Sequence, residues 1–505
     1  MCTNNQFGVK SLLLFITFGC LMAAVSGCNR ETPLQVESAK VESTGVRSIE
    51  VESAEIGQPN VLFIAVDDLN DWVGYAGTNP NTLTPNIDAL AESGVAFTQA
   101  FSQYPLCGPS RASLFAGMLP STLGLLKQPK DLVVAEVAQQ HGTPLLHSYF
   151  RKHGYKTMAV GKLLHRHIPA GSVDMSGDRG DWDRMPDGKR LNFDSDNTMT
   201  DWGVYPGPEA EMSDPMAAAW AVDRLRETHD KPFMLMVGFL RPHVPWYVPQ
   251  EYFDAIGEAD TLTLPPYRAD DLDDVPDYAQ RMNIADGYPR TSWAIETGVW
   301  NDIVHAYLAS TNFADHYVGQ VLDALEQSAY ADNTIIVLFS DHGYLLGEKN
   351  TFQKQNLWER ANKVPLIIAG PNIPRDQRRQ QTVGLIDIYP TLLDLAGLPA
   401  NPVNQGHSLK PMMNDASLAW DIPTITQWRR NKKSEDIDLR GQSVQSGPWR
   451  YSLYGDGSEE LYNHQDDPNE WTNLAADPES ASQHRILMDK LKVQLPADFF
   501  TMTVE

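Results

Sequence analysis

The sequence predicts an α/β protein: a large mixed, mostly parallel sheet flanked by helices, then a smaller C-terminal α+β subdomain with a short antiparallel sheet. Three observations predict it. The stretches 60–66, 233–240, 334–340 and 364–370 are continuous apolar runs without alternation, as strands buried on both faces are. From Trp300 to Gln327, Val304, Leu308, Val318, Leu322 and Leu325 fall at helical spacing, and 387–393 reads as a capped helix. After about residue 415 short stretches rich in Trp, Tyr and Arg replace the apolar runs, with turns between them.

Composition bounds what the chain does. Its 505 residues are 42% hydrophobic and 21% charged, which are globular values with ample room for a core. A formal net charge of −25 argues against nucleic-acid binding and against docking on anionic membranes. An anionic substrate would need a locally basic pocket inside this acidic shell.

In chain order, Lys10 precedes an apolar run from Leu12 to Val25 that is too short to span a bilayer, and Ser26-Gly27-Cys28 follows. Residues 1–27 read as a lipoprotein-type signal peptide, with Cys28 the lipidated first residue of the mature chain. Ordinary secretory cleavage near Ala23 to Gly27 is the alternative. Either way the protein is expected outside the cytoplasm, periplasmic or at the cell surface. Residues 28–57 repeat Val-Glu-Ser three times without aromatics or periodicity, and read as a tether of roughly a hundred Å at full stretch. Residues 58–415 form the expected catalytic domain and 416–505 the C-terminal subdomain.

The first strand run ends in Asp67-Asp68, and the third in Asp341-His342-Gly343. Paired acids at the C-terminal end of a buried strand sit where open α/β sheets place ligands, although they can also cap the next helix. Two such strands at one sheet edge suggest a hard divalent ion, Ca²⁺ or Mg²⁺. Residues 85–91 start an amphipathic helix of the scaffold, and 157–160 a short strand after which Gly161 frees the backbone to aim Lys162 and His165. Residues 171–215, rich in Gly, Asp and Pro, are long for a loop and read as an insertion over the pocket. The second run leads into Arg241-Pro242-His243-Val244-Pro245-Trp246, where the flanking prolines predict a rigid extended segment that aims His243. In the subdomain, 428–430, 449–454 and 460–463 read as short strands, and 482–495 as the last helix.

Cysteine is scarce, at positions 2, 20, 28 and 107, so Cys107 is the one cysteine of the expected folded body. It lies in Tyr104-Pro105-Leu106-Cys107-Gly108-Pro109-Ser110-Arg111, before an apolar segment that reads as a helix. A lone Cys is commonly buried as a small apolar residue. Here the turn, the following Arg and the helix N-terminus predict a reactive thiol instead.

Cys107-x-Pro109-Ser110-Arg111, with Leu114 and Gly117, resembles the signature of the formylglycine-dependent sulfatases of the alkaline-phosphatase superfamily. Gly161-Lys162-x-x-His165, and His342 where many sulfatases carry Asn, resemble the iduronate-2-sulfatase branch. The 460–474 stretch, Glu-Leu-Tyr-Asn through Asp-Pro-Asn-Glu to Asn-Leu, resembles the sulfatase C-terminal subdomain. The resemblance covers most of 58–505 and implies the alkaline-phosphatase-like fold. It also implies that a maturing enzyme converts Cys107 to formylglycine (3-oxoalanine), whose hydrate is the nucleophile. Asp67, Asp68, Asp341 and His342, with the residue made from Cys107, would hold one Ca²⁺, preferred over Mg²⁺. Arg111 would anchor the nucleophile's hydroxyl, Lys162 and Lys354 would bind sulfate, His243 would protonate the departing alcohol, and His165 would take the proton on collapse to the aldehyde. Lys354 is in register with the branch's second sulfate-binding lysine; Lys349, nearer the strand, is not.

The expected activity is hydrolysis of sulfate esters on polysaccharide or glycosaminoglycan fragments, with the protein lipid-anchored through Cys28. Trp246, Trp428, Arg429 and Arg430 are candidates for the specificity wall. Two alternatives stay open: a formylglycine-dependent phosphodiester or phosphonate monoester hydrolase, and a lipid-tethered glycan-binding protein without turnover.

Overall fold

The computed structural model describes residues 57–432 and 437–503; the expected leader, Cys28 and all of the tether but Gly57 lie outside them. The four apolar runs are strands, Asn60–Val66, Phe233–Phe239, Thr334–Ser340 and Lys363–Ala369. They belong to one sheet, ordered Gln377–Arg379, Gly94–Phe101, Lys363–Ala369, Thr334–Ser340, Asn60–Val66, Phe233–Phe239, Lys156–Gly161, Met175–Ser176. Lys363–Ala369 is antiparallel to both neighbours, and the other pairs are parallel. The sheet is mixed and mostly parallel.

Why these strands read as unbroken apolar runs is visible in their packing. Leu62, Ile64 and Val66 join Leu235, Val237 and Phe239 in one core, under helices Ser213–Arg226 and Trp300–Glu326. Val61, Phe63 and Ala65 join Met234, Met236 and Val337 in the other, under helices Cys107–Ala116, Leu146–Lys152 and Ile388–Leu395. Both faces are covered, so neither alternates with polar residues. Phe63 meets Phe115 and Phe339 at 5.4 and 4.9 Å between ring centroids, and truncating it to Ala would cost about 3–5 kcal/mol.

The C-terminal sheet is antiparallel, in the order Thr424–Lys432, Ile437–Ser446, Trp449–Tyr454, Glu459–Asn463. Ile437–Ser446 was not expected, because among its described side chains only Leu439 and Val444 are large and apolar. The last helix is Pro478–Lys492, starting earlier than 482; the Asp477 carboxylate caps it by accepting the Ser480 N–H at 2.8 Å. Met488, Leu491 and Leu495 cover Val444, Tyr451 and Leu461. The opposite face puts Trp428, Tyr454 and Tyr462 in a cluster with Tyr104 and Trp358, seating this sheet on the loop that leads to Cys107.

Two local expectations are corrected. The segment around His243 is a turn, closed by the His243 N–H to the Leu240 carbonyl at 2.9 Å. The Asp214 carboxylate fixes that turn by accepting the Leu240 and Arg241 N–H groups at 2.5 and 3.0 Å. Trp246 is no pocket wall. It is fully buried, belongs to the strand Trp246–Val248 paired with Trp202–Val204, donates its indole N–H to the Pro242 carbonyl at 2.6 Å, and packs against Tyr307 and Tyr344. An indole whose polar atom is already paired packs as core.

Candidate active site

The neighbouring strands deliver their C-terminal residues to one edge. Val66 lies opposite Ser340 on one side and Phe239 on the other, and Gly161 lies opposite Gly238. Asp67-Asp68, Asp341-His342, the His243 turn and Lys162 therefore emerge side by side. Gly94–Phe101, reached through two successive antiparallel pairings, points the same way and feeds the helix Cys107–Ala116. Gly117 ends that helix at φ +66°, its N–H closing on the Leu114 and Ser113 carbonyls.

Cys107, at the first turn of this helix, is buried. Its Sγ lies 3.2 Å from Lys354 Nζ, 3.6 Å from Lys162 Nζ, 3.2 Å from His342 Nε2 and 4.0 Å from Asp68 Oδ1. Lys354 Nζ also donates to Asp68 Oδ1 at 2.6 Å, and Lys162 Nζ to Asp67 Oδ2. Lys349 points elsewhere, to Asp271 Oδ1 at 2.7 Å and the Glu470 carbonyl. Arg111 directs its guanidinium at the carboxylates rather than at Sγ: Nε to Asp341 Oδ2 at 2.7 Å and NH2 to Asp67 Oδ1 at 3.1 Å. Its NH1 donates to the Lys162 and Leu163 carbonyls at 2.5 and 3.0 Å. It cross-braces three strand ends.

Charge states follow from this packing. Burial would raise the Asp67 carboxyl, but Lys162, His243 and Arg111 outweigh it and hold it well below the usual range. Burial raises Asp68, against the pull of Lys354 and with the push of Asp67. The thiol of Cys107 is pushed up to about 12 by burial and then by the Asp67 charge, despite both lysines. Desolvation thus works against the helix N-terminus and the cations that the sequence sets beside the thiol.

Which residues fit a metal is decided by what is left unpaired. Oxygens of Asp67 and Asp68, Cys107 Sγ and an imidazole nitrogen of His342 lie within 4.8 Å of one another. Asp68 Oδ2 is buried without a hydrogen-bond partner, which a hard cation would satisfy. Asp341 is outside that foursome, its Oδ1 accepting the Asp68 and His342 N–H groups at 3.3 and 3.1 Å. The set fits a divalent ion held by Asp67, Asp68 and His342, with the position of Cys107 beside it.

His243 Nδ1 donates to the Val244 carbonyl at 2.6 Å, and Nε2 stands 4.0 Å from Asp68 Oδ2. Burial, then Lys162 and Lys354, lower its pKa well below the usual value. His165 is half-buried, with no hydrogen bond among the described residues; burial and then Lys162 lower it to about 3. Trp182, in the 171–215 insertion, packs 5.3 Å from the His243 ring and 6.1 Å from His165.

A cleft of about 300 Å³ adjoins the site, lined among others by Leu106, Tyr288, Gln355, Trp428, Arg429 and Arg430. Leu106 and Gln355 flank Cys107 and Lys354 in sequence. Arg429 is committed to Asp438 at 2.7 Å and Arg430 to the Arg281 and Ile284 carbonyls. The sequence reading missed Tyr288 and Gln355, which carry no motif and are brought in only by folding.

Residues 59–398 match the sulfatase family, and residues 347–496 match the C-terminal region of N-sulphoglucosamine sulphohydrolase. A sulfatase of Formosa agariphila is 41% identical over 464 residues, covering 89% of each chain. Iduronate 2-sulfatase of Mus musculus is 29% identical over 83% of this chain and 90% of its own. Among solved structures, phosphonate monoester hydrolase from Silicibacter pomeroyi superposes with a TM-score of 0.71 over 86% of this chain and 95% of its own. At 20% identity that likeness shows the fold alone.

Proposed function

The chain belongs to the sulfatase family, and on that premise we propose that it hydrolyses sulfate esters of carbohydrate, with the 2-sulfate of a uronic acid as the favoured class. The observation that carries this reading is the convergence of Lys162 and Lys354 on the Cys107 position, 3.6 and 3.2 Å from Sγ, with His243 across the site. Gly161-Lys162-x-x-His165, His342 and the likeness to iduronate 2-sulfatase support the uronate preference.

Formylglycine at position 107, made by a maturing enzyme, would supply as its hydrate one hydroxyl to attack sulfur and a second whose collapse releases sulfate. Ca²⁺ at Asp67, Asp68 and His342 would lower the pKa of a hydroxyl at position 107. The rest falls to side chains. Lys162 and Lys354 hold non-bridging sulfate oxygens, and a contact of this kind is worth about 10²–10³ in rate. Arg111 fixes Asp67 and Asp341. His243 faces the ester through Nε2, and the charge of a bound sulfate offsets the two ammoniums that disfavour its protonated form. His165, held neutral, is in the state that accepts a proton.

The test is the mass of the proteolytic peptide ending at Arg111 from natively produced protein, together with turnover of 4-nitrophenyl sulfate and 4-nitrophenyl phosphate. Conversion of Cys107 and preferred turnover of the sulfate are expected. Preference for phosphate would overturn the sulfatase reading, and an unmodified thiol in active protein would overturn the nucleophile. Glycan binding without turnover, unaffected by Cys107→Ala, would favour a binding protein. Export with lipidation at Cys28 is part of the proposal, and labelling with a lipid precursor that survives Cys28→Ala would refute it.

A further inference from the structure

Arg179 is a half-buried cation beside the active site, and no carboxylate among the described residues pairs with it directly. Its guanidinium carbon lies 3.7 Å from the centroid of the Trp182 ring, and the same ring lies 5.1 Å from Lys162 Nζ and 5.3 Å from the His243 ring. Nε and NH2 are shut off from solvent with no hydrogen-bond partner, and Arg179 forms no ion pair among the described residues. Asp67, Asp181 and Asp183 favour its charge from a distance, but none pairs with it, and the acids closest in sequence spend their hydrogen bonds elsewhere. Asp178 accepts the backbone N–H of Arg179, Asp181 that of Trp182, and Asp183 the N–H and hydroxyl of Ser213.

A guanidinium cannot shed its charge, and its fork of donors matches planar or tetrahedral oxyanions. Leaving two of its nitrogens desolvated and unpaired is unfavourable unless an anion arrives. That anion is not the group at Cys107. Arg179 and Lys162 lie against the same Trp182 ring, so an anion at Arg179 would sit beside the group held by the lysines at Sγ, as a second substituent of the same sugar could. In a chain of net charge −25, such a fixed cation also offsets the repulsion of a doubly charged substrate.

We propose that Arg179, held flat by Trp182, receives a second oxyanion of the substrate, a uronate carboxylate or an additional sulfate ester, on the sugar whose sulfate lies at Lys162 and Lys354. This rests on the sulfatase reading above. Steady-state kinetics of the matured wild type, Arg179→Gln and Arg179→Lys test it on four substrates: 4-nitrophenyl sulfate, an unsaturated hexuronate 2-sulfate disaccharide, its carboxyl-reduced form, and a disulfated hexose. The wild type should prefer a substrate carrying the second anion. Arg179→Gln should remove that preference, raising KM for it about 10- to 100-fold with a smaller change in kcat. The loss on 4-nitrophenyl sulfate should be several-fold smaller, and Arg179→Lys should fall between. A rise confined to the uronate names the carboxylate, and one confined to the disulfated hexose names the sulfate. An equal loss on all four substrates, or none on any, overturns the proposal. A wild type that turns over sulfate esters without such a preference overturns it alone, whereas one that turns over no sulfate ester overturns the function and this inference with it.

Discussion

Gly161→Ala is the sharpest test of how the sheet edge aims Lys162. Gly161 has φ +77°, and a Cβ there would sit 1.9 Å from the Gly238 carbonyl oxygen on the neighbouring strand. That oxygen accepts the Lys162 N–H at 2.9 Å, so relief by about an ångström must move the residue that carries the ammonium. The obstacle is backbone, and no rotamer change removes it. Arg111 feels the shift too, because its NH1 donates to the Lys162 carbonyl. An ångström of misplacement costs about 100-fold in rate. Gly154, in the same segment at φ +93° with open space where a Cβ would stand, is the control, since substitution there adds only backbone strain of about 1–2 kcal/mol. Gly161→Ala should lower kcat/KM for 4-nitrophenyl sulfate about 100-fold and melt below Gly154→Ala, which should keep near-wild-type turnover. Equal activity of the two variants would refute the close-approach reasoning.

Lys354→Ala should lower kcat/KM at least about 100-fold with a modest change in melting temperature. Lys349→Ala should instead destabilise by about 3–5 kcal/mol through the buried partners it abandons, and retain turnover per folded molecule. Chelation should abolish turnover and lower the melting temperature, with Ca²⁺ restoring both; at a free ion concentration of 100 times Kd the stabilisation is about 2.7 kcal/mol. His464, paired with Glu359 and with Glu470 at 3.0 Å, has its pKa raised to about 9: burial opposes the shift, and the Glu359 charge outweighs it. A raised histidine stabilises fully below its unfolded value near 6.5 and loses that contribution as pH rises through 9, about 3 kcal/mol in all. Wild type should therefore lose melting temperature between pH 6.5 and 9 more steeply than His464→Gln, and parallel curves would refute the pairing.

The central strands are legible in the sequence alone, because burial on both faces forces continuous apolar runs, and so is which strand ends carry acid, imidazole and ammonium groups. The spacing around Cys107 likewise marked a helix N-terminus in a tight turn. Lys354 over Lys349 came from the resemblance to the iduronate-2-sulfatase branch and from no local pattern. Local pattern could not decide the rest. A cysteine beside Arg and a helix end reads as reactive, yet how deeply Sγ and Asp67 are buried together is a tertiary fact, and it reverses the direction of the thiol's shift. Arg111 reads as a partner of the nucleophile, but three strand ends converging on it claim its donors. Trp246 reads as a binding-site aromatic until Tyr307 and Tyr344 close around it. Arg179 and Trp182 lie in an insertion without periodicity, and only the return of that segment over the sheet edge sets them beside Lys162 and His243. Periodicity and composition record what each residue faces along its own element. Desolvation and long-range pairing depend on which elements meet, and only the folded chain supplies that.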